Sequence, residues 1–163
     1  MKKSLGLGLL LGVGLLSSQQ AVAEVLTHAG AKVQITVPKG WTQHQDEDVL
    51  VIKAPDGGMA VVFAVLPEEH ADKALEAIDK AIEKAVGTVT WEHNGEAKEE
   101  EINGMATSEW NGSAEDGSIY VDALAISTPA DKVLGVYWFT AAAKWEGYEG
   151  AVKTIVRGLQ PVK

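Results

Sequence analysis

The residues able to do chemistry are few, and their spacing limits what they could do. Four histidines occur: His28, His44, His70 and His93. Imidazoles bind zinc or copper when two rings project together, as they do four residues apart on a helix in His-Glu-x-x-His. No two of these histidines have that spacing. They fall in an arm, a loop, a helix start and a strand end, where each is expected to be solvated. A serine nucleophile needs a base beside it, held by a Gly-x-Ser-x-Gly elbow or a Ser-x-x-Lys pair. Ser108, Ser113, Ser118 and Ser127 have neither context. The chain has no cysteine, which excludes disulfides, thiolate catalysis and a lipid anchor on an N-terminal cysteine.

Two acidic clusters invite a calcium-type reading: Asp46-Glu47-Asp48 and Glu99-Glu100-Glu101. Calcium takes about six to eight oxygens from a shaped loop, and the Asp-x-Asp-x-Asp-Gly pattern of such a loop is missing. On a strand, Glu99 and Glu101 share a face, where like charges at a sheet edge discourage pairing with another sheet. Gly57-Gly58 is not followed by Lys-Ser or Lys-Thr, so it is a turn and no phosphate cradle. Trp91, Trp110, Trp138 and Trp145 could form a carbohydrate or peptide platform, but their places on strands and a helix favour core packing for most of them. The sequence therefore nominates no catalytic residue, no cofactor and no metal ligand. The leading expectation is a non-enzymatic binding or assembly-accessory module; divalent-cation binding by the acidic clusters is the alternative.

The first residues supply an address. Lys2 and Lys3 precede an apolar run at 5–16, a polar step at 17–20 and the small-residue site Ala21-Val22-Ala23. That is the layout of a secretory signal peptide cleaved after Ala23. The apolar run is too short for a membrane span, which needs about 20 residues. Residues 1–23 are thus expected to be a signal peptide and residues 24–163 a single domain, exported to the bacterial periplasm or secreted. With 23 acidic and 14 basic residues, the net charge is −9. A surface this acidic repels phosphate backbones and anionic lipid headgroups, so nucleic acid and membrane are unsuitable partners.

The elements that must position these residues read in order. Residues 24–30 form a lead-in strand or arm. Val33, Ile35 and Val37 alternate with polar residues, which predicts a strand with one buried face. Pro38 ends it, and Lys39-Gly40 turns the chain into Trp41, a packing anchor at the sheet edge. Residues 43–48 read as a polar loop and 49–52 as a strand. A Pro55-Asp56-Gly57 turn then leads into 59–65, which is apolar throughout.

Pro67 opens a helix whose apolar side runs from Ala71 through Ile78 and Ile82 to Val86, with Glu68 and Glu69 at its positive end. Glu69 with Lys73 and Glu76 with Lys80 have the favourable i,i+4 order. Asn94-Gly95 and Asn103-Gly104 are hairpin turns separating strands at 88–93, 96–102 and 105–110, the charged middle one at an edge. A loop at 112–117 follows. The strands at 119–126 and 133–141 form a hairpin at the sheet centre, apolar on both faces. A terminal helix from Trp145 to Leu159 stops before Pro161. The fold class is α+β: one domain with a mostly antiparallel sheet flanked by two main helices.

Within that order of elements, Val37-Pro38-Lys39-Gly40-Trp41 resembles the strand-to-turn motif of the PsbP-like fold family, which includes exported bacterial proteins of the DcrB type. The resemblance extends over the domain to the helix ending at Arg157-Gly158-Leu159-Gln160-Pro161. It implies an antiparallel sheet flanked by helices and a role in binding or assembly, and it carries no catalytic residue across. The partner it implies is another envelope or periplasmic protein.

Overall fold

The computed structural model describes residues 23–67 and 73–162. The leader lies outside the described residues, and so do Glu68, Glu69, His70, Ala71 and Asp72, with the expected Glu69–Lys73 pair. The chain begins with β1 (Glu24–His28), β2 (Val33–Val37), β3 (Thr42–Asp46), β4 (Val49–Lys53) and β5 (Ala60–Val65). Helix α1 (Ala74–Val86) follows, then β6 (Thr90–Trp91), β7 (Lys98–Ile102), β8 (Met105–Ala114), β9 (Ile119–Ser127) and β10 (Val133–Ala141). Helix α2 (Trp145–Arg157) and β11 (Gln160–Pro161) complete the described chain.

All described strand pairs are antiparallel. The larger sheet has the order β3-β4-β5-β10-β9-β8-β6, with β7 also paired to β8, and a second sheet has the order β1-β2-β11. Helix α1 lies on one face of the larger sheet, against β9 and β10. On the opposite face α2 packs with β2 of the smaller sheet. The α+β reading is what the structure shows.

Strand alternation divides the interior into two cores. On β9, Val121 and Ala123 turn toward α1 and meet Ile78, Ile82 and Val86. Leu124 and Ile126 turn the other way, joining Ile35, Ile52, Phe63, Val136 and Ile155 in the main core. Because both faces are covered, β9 and β10 read as apolar runs. Each fully buried Ile, Leu or Phe contributes roughly 1.5–3 kcal/mol, so the larger core dominates. The turn after β2 is type II: Trp41 N–H donates to Pro38 O at 3.1 Å, and Gly40 supplies φ +82° at the third position. Trp41 then meets Tyr148 of α2 edge to face, with centroids 6.4 Å apart, as the anchor reading expects.

Several expectations are corrected. The polar loop at 43–48 is largely strand β3, exposed at all five positions. An edge strand is held by main-chain bonds to one neighbour, so its side chains need not be apolar. The loop at 112–117 shrinks to the turn Glu115–Gly117, because β8 continues to Ala114. Gly112 allows this: a Cβ there would lie 2.9 Å from Thr90 O and 3.0 Å from Trp91 Cε3. Asn94-Gly95 does not close a hairpin. β6 and β7 both pair with β8 and not with each other, so the turn is a bend along one edge. Past Gly158 the chain adds β11 beside β2, a sheet that the sequence reading omits.

His28 is corrected too. It is fully buried, its Nε2 donating to Asp48 O at 3.2 Å and its Nδ1 accepting the Ala31 N–H at 3.3 Å. The ring ties the smaller sheet to the β3–β4 turn.

Candidate functional site

The acidic clusters do not converge. Residues on β7 alternate between faces, so Glu99 accepts from Ser108 Oγ on the α1 side while Glu100 pairs with Arg157 at 2.6 Å on the α2 side. At 46–48, Glu47 forms the turn itself with φ +45°, and Asp48 offers its carbonyl to His28. Among the described residues no three His, Asp or Glu side chains gather as a metal site. The alternative reading thus lacks the shaped shell of oxygens that calcium requires. His44 is exposed on β3, His93 is exposed in the bend, and His70 lies outside the described residues.

On each face of the larger sheet one concave region gathers polar and aromatic side chains. The first is a cleft of about 700 Å³ between the start of α1 and the β7–β8–β9 side of the sheet. Small side chains make the space: Ala106, Ser108 and Ala125 on the sheet leave the room that Ile78 and Ile82 fill further along α1. Trp91 and Trp110 line it, each half-buried. Both indole N–H groups are occupied, Trp91 donating to Asp79 Oδ1 at 2.9 Å and Trp110 to Gly95 O at 3.1 Å. Those bonds fix the rings in place as apolar surface beside Leu75. Core packing was the expectation for most of the tryptophans. It holds for Trp138, whereas Trp91 and Trp110 sit at the cleft and Trp145 is half-buried. A sequence signal existed: both cleft tryptophans stand between polar or charged neighbours, Thr90 and Glu92 for Trp91, Glu109 and Asn111 for Trp110.

The second region lies beneath α2 and is built on Asp122. Register places Asn111, Asp122 and Trp138 directly across from one another on β8, β9 and β10. Asn111 Nδ2 donates to Tyr120 OH at 3.2 Å, and Tyr120 OH donates to Asp122 Oδ2 at 3.1 Å. Burial, with the nearby negative charge of Glu109, raises the Asp122 carboxyl to a pKa of about 8. Burial raises the Tyr120 hydroxyl as well, reinforced by Asp122. Sequence reasoning missed Asp122. The available signal was one carboxylate inside an otherwise apolar central strand.

No protein-family model matches the chain, and no curated protein matches it in sequence. Solved structures are similar in fold. Cyanobacterial PsbP (CyanoP) from Synechocystis sp. PCC 6803 aligns with TM-score 0.57 at 15% identity, covering 94% of this chain and 97% of that one. LpqN of Mycobacterium tuberculosis aligns with TM-score 0.53 at 12% identity, covering 85% and 90%. A Mog1 point mutant aligns with TM-score 0.52 at 12% identity, covering 87% and 97%. The element order, the two-faced sheet and these superpositions agree: the chain has a PsbP-like fold.

Proposed function

We propose that this protein is an exported, non-enzymatic binding module that holds a protein partner of the cell envelope in the cleft between α1 and the β7–β8–β9 side of the sheet. The observation that carries this reading is the pair Trp91 and Trp110, half-buried, with their polar ends bonded and a cleft of about 700 Å³ beside them. Tryptophans placed in this way are the usual anchors of protein interfaces, because they bury large area with little loss of rotamer freedom. The leader at residues 1–23 supports export. LpqN, similar in fold, is described as involved in cell envelope biogenesis, which fits an accessory role outside the cytoplasm.

Two experiments test the proposal. N-terminal sequencing of the protein from the native host's envelope fraction should begin at Glu24; a chain still starting at Met1 refutes the export part. For the cleft, a photocrosslinking residue at Leu75 is compared with one at Val25, which is exposed on β1 away from the cleft. The expected result is a discrete adduct from position 75 that disappears with Trp91→Ala. No adduct, or equal adducts from both positions, counts against the cleft.

A further inference from the structure

The cavity beneath α2 measures about 180 Å³ and differs chemically from the cleft on the other face. Its wall is α2 between Trp145 and Arg157, and its floor carries Asn111, Asp122 and Trp138. Asp122 is only 3% exposed. Tyr120 satisfies its Oδ2, but Oδ1 has no hydrogen-bond partner among the described residues. Trp138 Nε1, an obligatory donor, likewise has none. Buried polar atoms are nearly always paired, so two orphans on directly opposed residues mark a place where something polar belongs.

The surrounding charges specify its sign. Lys153 lies along the cavity, but its Nζ is 2.8 Å from Glu149 and its side chain is 67% exposed. Arg157 is engaged by Glu100 at 2.6 Å and Glu109 at 3.8 Å, and Lys98 stands 3.6 Å from Glu109. The nearby cations thus pair with other carboxylates, and Asp122, which Arg157 reaches only through space, forms no ion pair of its own among the described residues. Aromatic rings are stacked beside it: Trp145 lies over Tyr120 with centroids 4.4 Å apart and over Trp138 at 6.2 Å. Aromatic faces attract cations. Trp138 N–H meanwhile needs an acceptor.

We propose that this cavity binds a small amino alcohol, its ammonium group donating to Asp122 Oδ1 and its oxygen accepting from Trp138 Nε1. Direct register puts the two residues about 5 Å apart at Cβ, close enough for one small molecule with an ammonium at one end and an oxygen at the other to reach both. Binding expels a proton. In the unliganded cavity the Asp122 carboxyl is largely protonated at neutral pH, held so by burial and Glu109. An arriving ammonium favours the carboxylate, whose proton passes to solvent. Affinity therefore rises with pH toward about 8. Tyr120, Glu109, Glu149, Lys153 and Arg157 are the other titratable or charged groups lining the cavity.

The test follows the Trp138 indole N–H by NMR while the full protein is titrated with 2-aminoethanol, ethylamine or ethylene glycol. The expected order is a saturable shift with 2-aminoethanol, a weaker one with ethylamine and none with ethylene glycol. Calorimetry in two buffers of different ionisation enthalpy should report release of up to about one proton per site near neutral pH. Asp122→Asn should weaken binding by at least about ten-fold. If that variant does not fold, the pH dependence of wild-type binding supplies the same information. Vesicles with ethanolamine headgroups form a separate arm: a shift there as well assigns a headgroup source, and a shift with the free amine alone assigns a soluble ligand. No saturable indole shift with either amine, or an equal response to ethylene glycol, overturns the proposal. Neither outcome bears on the cleft beneath α1.

Discussion

Asp122 on β9 and Trp138 on β10 stand directly opposite each other, and each keeps one buried polar atom without a partner among the described residues. A carboxylate in this position opposes folding when ionised. Its protonated form is accepted more readily, which ties the stability of the domain to pH.

The sign of that dependence follows from the shift. The folded carboxyl has a pKa of about 8, against an ordinary value of 3.8. The folded state therefore binds the proton more tightly than the unfolded state. This contribution to stability is full below about 4 and is lost as pH rises toward about 8. Asp122→Asn removes the titrating group. The variant's melting temperature relative to wild type should climb between pH 4 and pH 8, corresponding to a few kcal/mol, since each pKa unit is about 1.4 kcal/mol. Parallel melting curves across that range would refute the assignment.

Asn103 does two jobs that mutation can separate. Its φ of +49°, with Gly104 at +86°, makes the β7–β8 turn. Its Nδ2 also donates to Arg157 O at 3.0 Å and Leu159 O at 2.6 Å at the end of α2. Asn103→Gly keeps the turn and loses the two bonds, while Asn103→Ala loses both functions. The glycine variant should lose about 1–2 kcal/mol in urea denaturation, and alanine about 1 kcal/mol more. Equal losses would mean that the side-chain bonds dominate and the turn geometry is indifferent.

His28 bridges the two sheets through Asp48 O and Ala31 N–H. In His28→Leu the Ala31 N–H loses its partner, while Asp48 O keeps the Val65 N–H at 3.1 Å. A loss of about 1–3 kcal/mol is expected, the usual cost of one buried polar group left unsatisfied. A variant as stable as wild type would show that the bridge contributes nothing net.

The Tyr148 hydroxyl donates to Asp56 Oδ2 at 2.6 Å, linking α2 to the β4–β5 turn. That bond, helped by the Gly58 N–H, holds the Asp56 carboxyl below its ordinary value. In Tyr148→Phe the carboxyl should titrate closer to that ordinary value. An NMR titration of Asp56 reads this directly, and an unchanged midpoint would assign the depression to the backbone donor alone.

Local pattern was enough for much of this protein. The alternation of Val33, Ile35 and Val37, the turn at Gly40, the 3.6-residue period through Ile78 and Ile82, and the Asn103-Gly104 hairpin are properties of a few adjacent residues. Those features determined the α+β class and the edge position of charged β7. What depends on distant partners was hidden. β3 is a strand because β4 lies beside it, and β11 because the chain returns to β2. His28 is buried because Asp48 accepts its proton from 20 positions away. The concave regions are further from reach, since a cavity is a place where side chains from separate elements fail to meet. Asp122 looked like one acid in an apolar strand; packing α2 across β8, β9 and β10 is what removed its water and left its Oδ1 without a hydrogen-bond partner among the described residues.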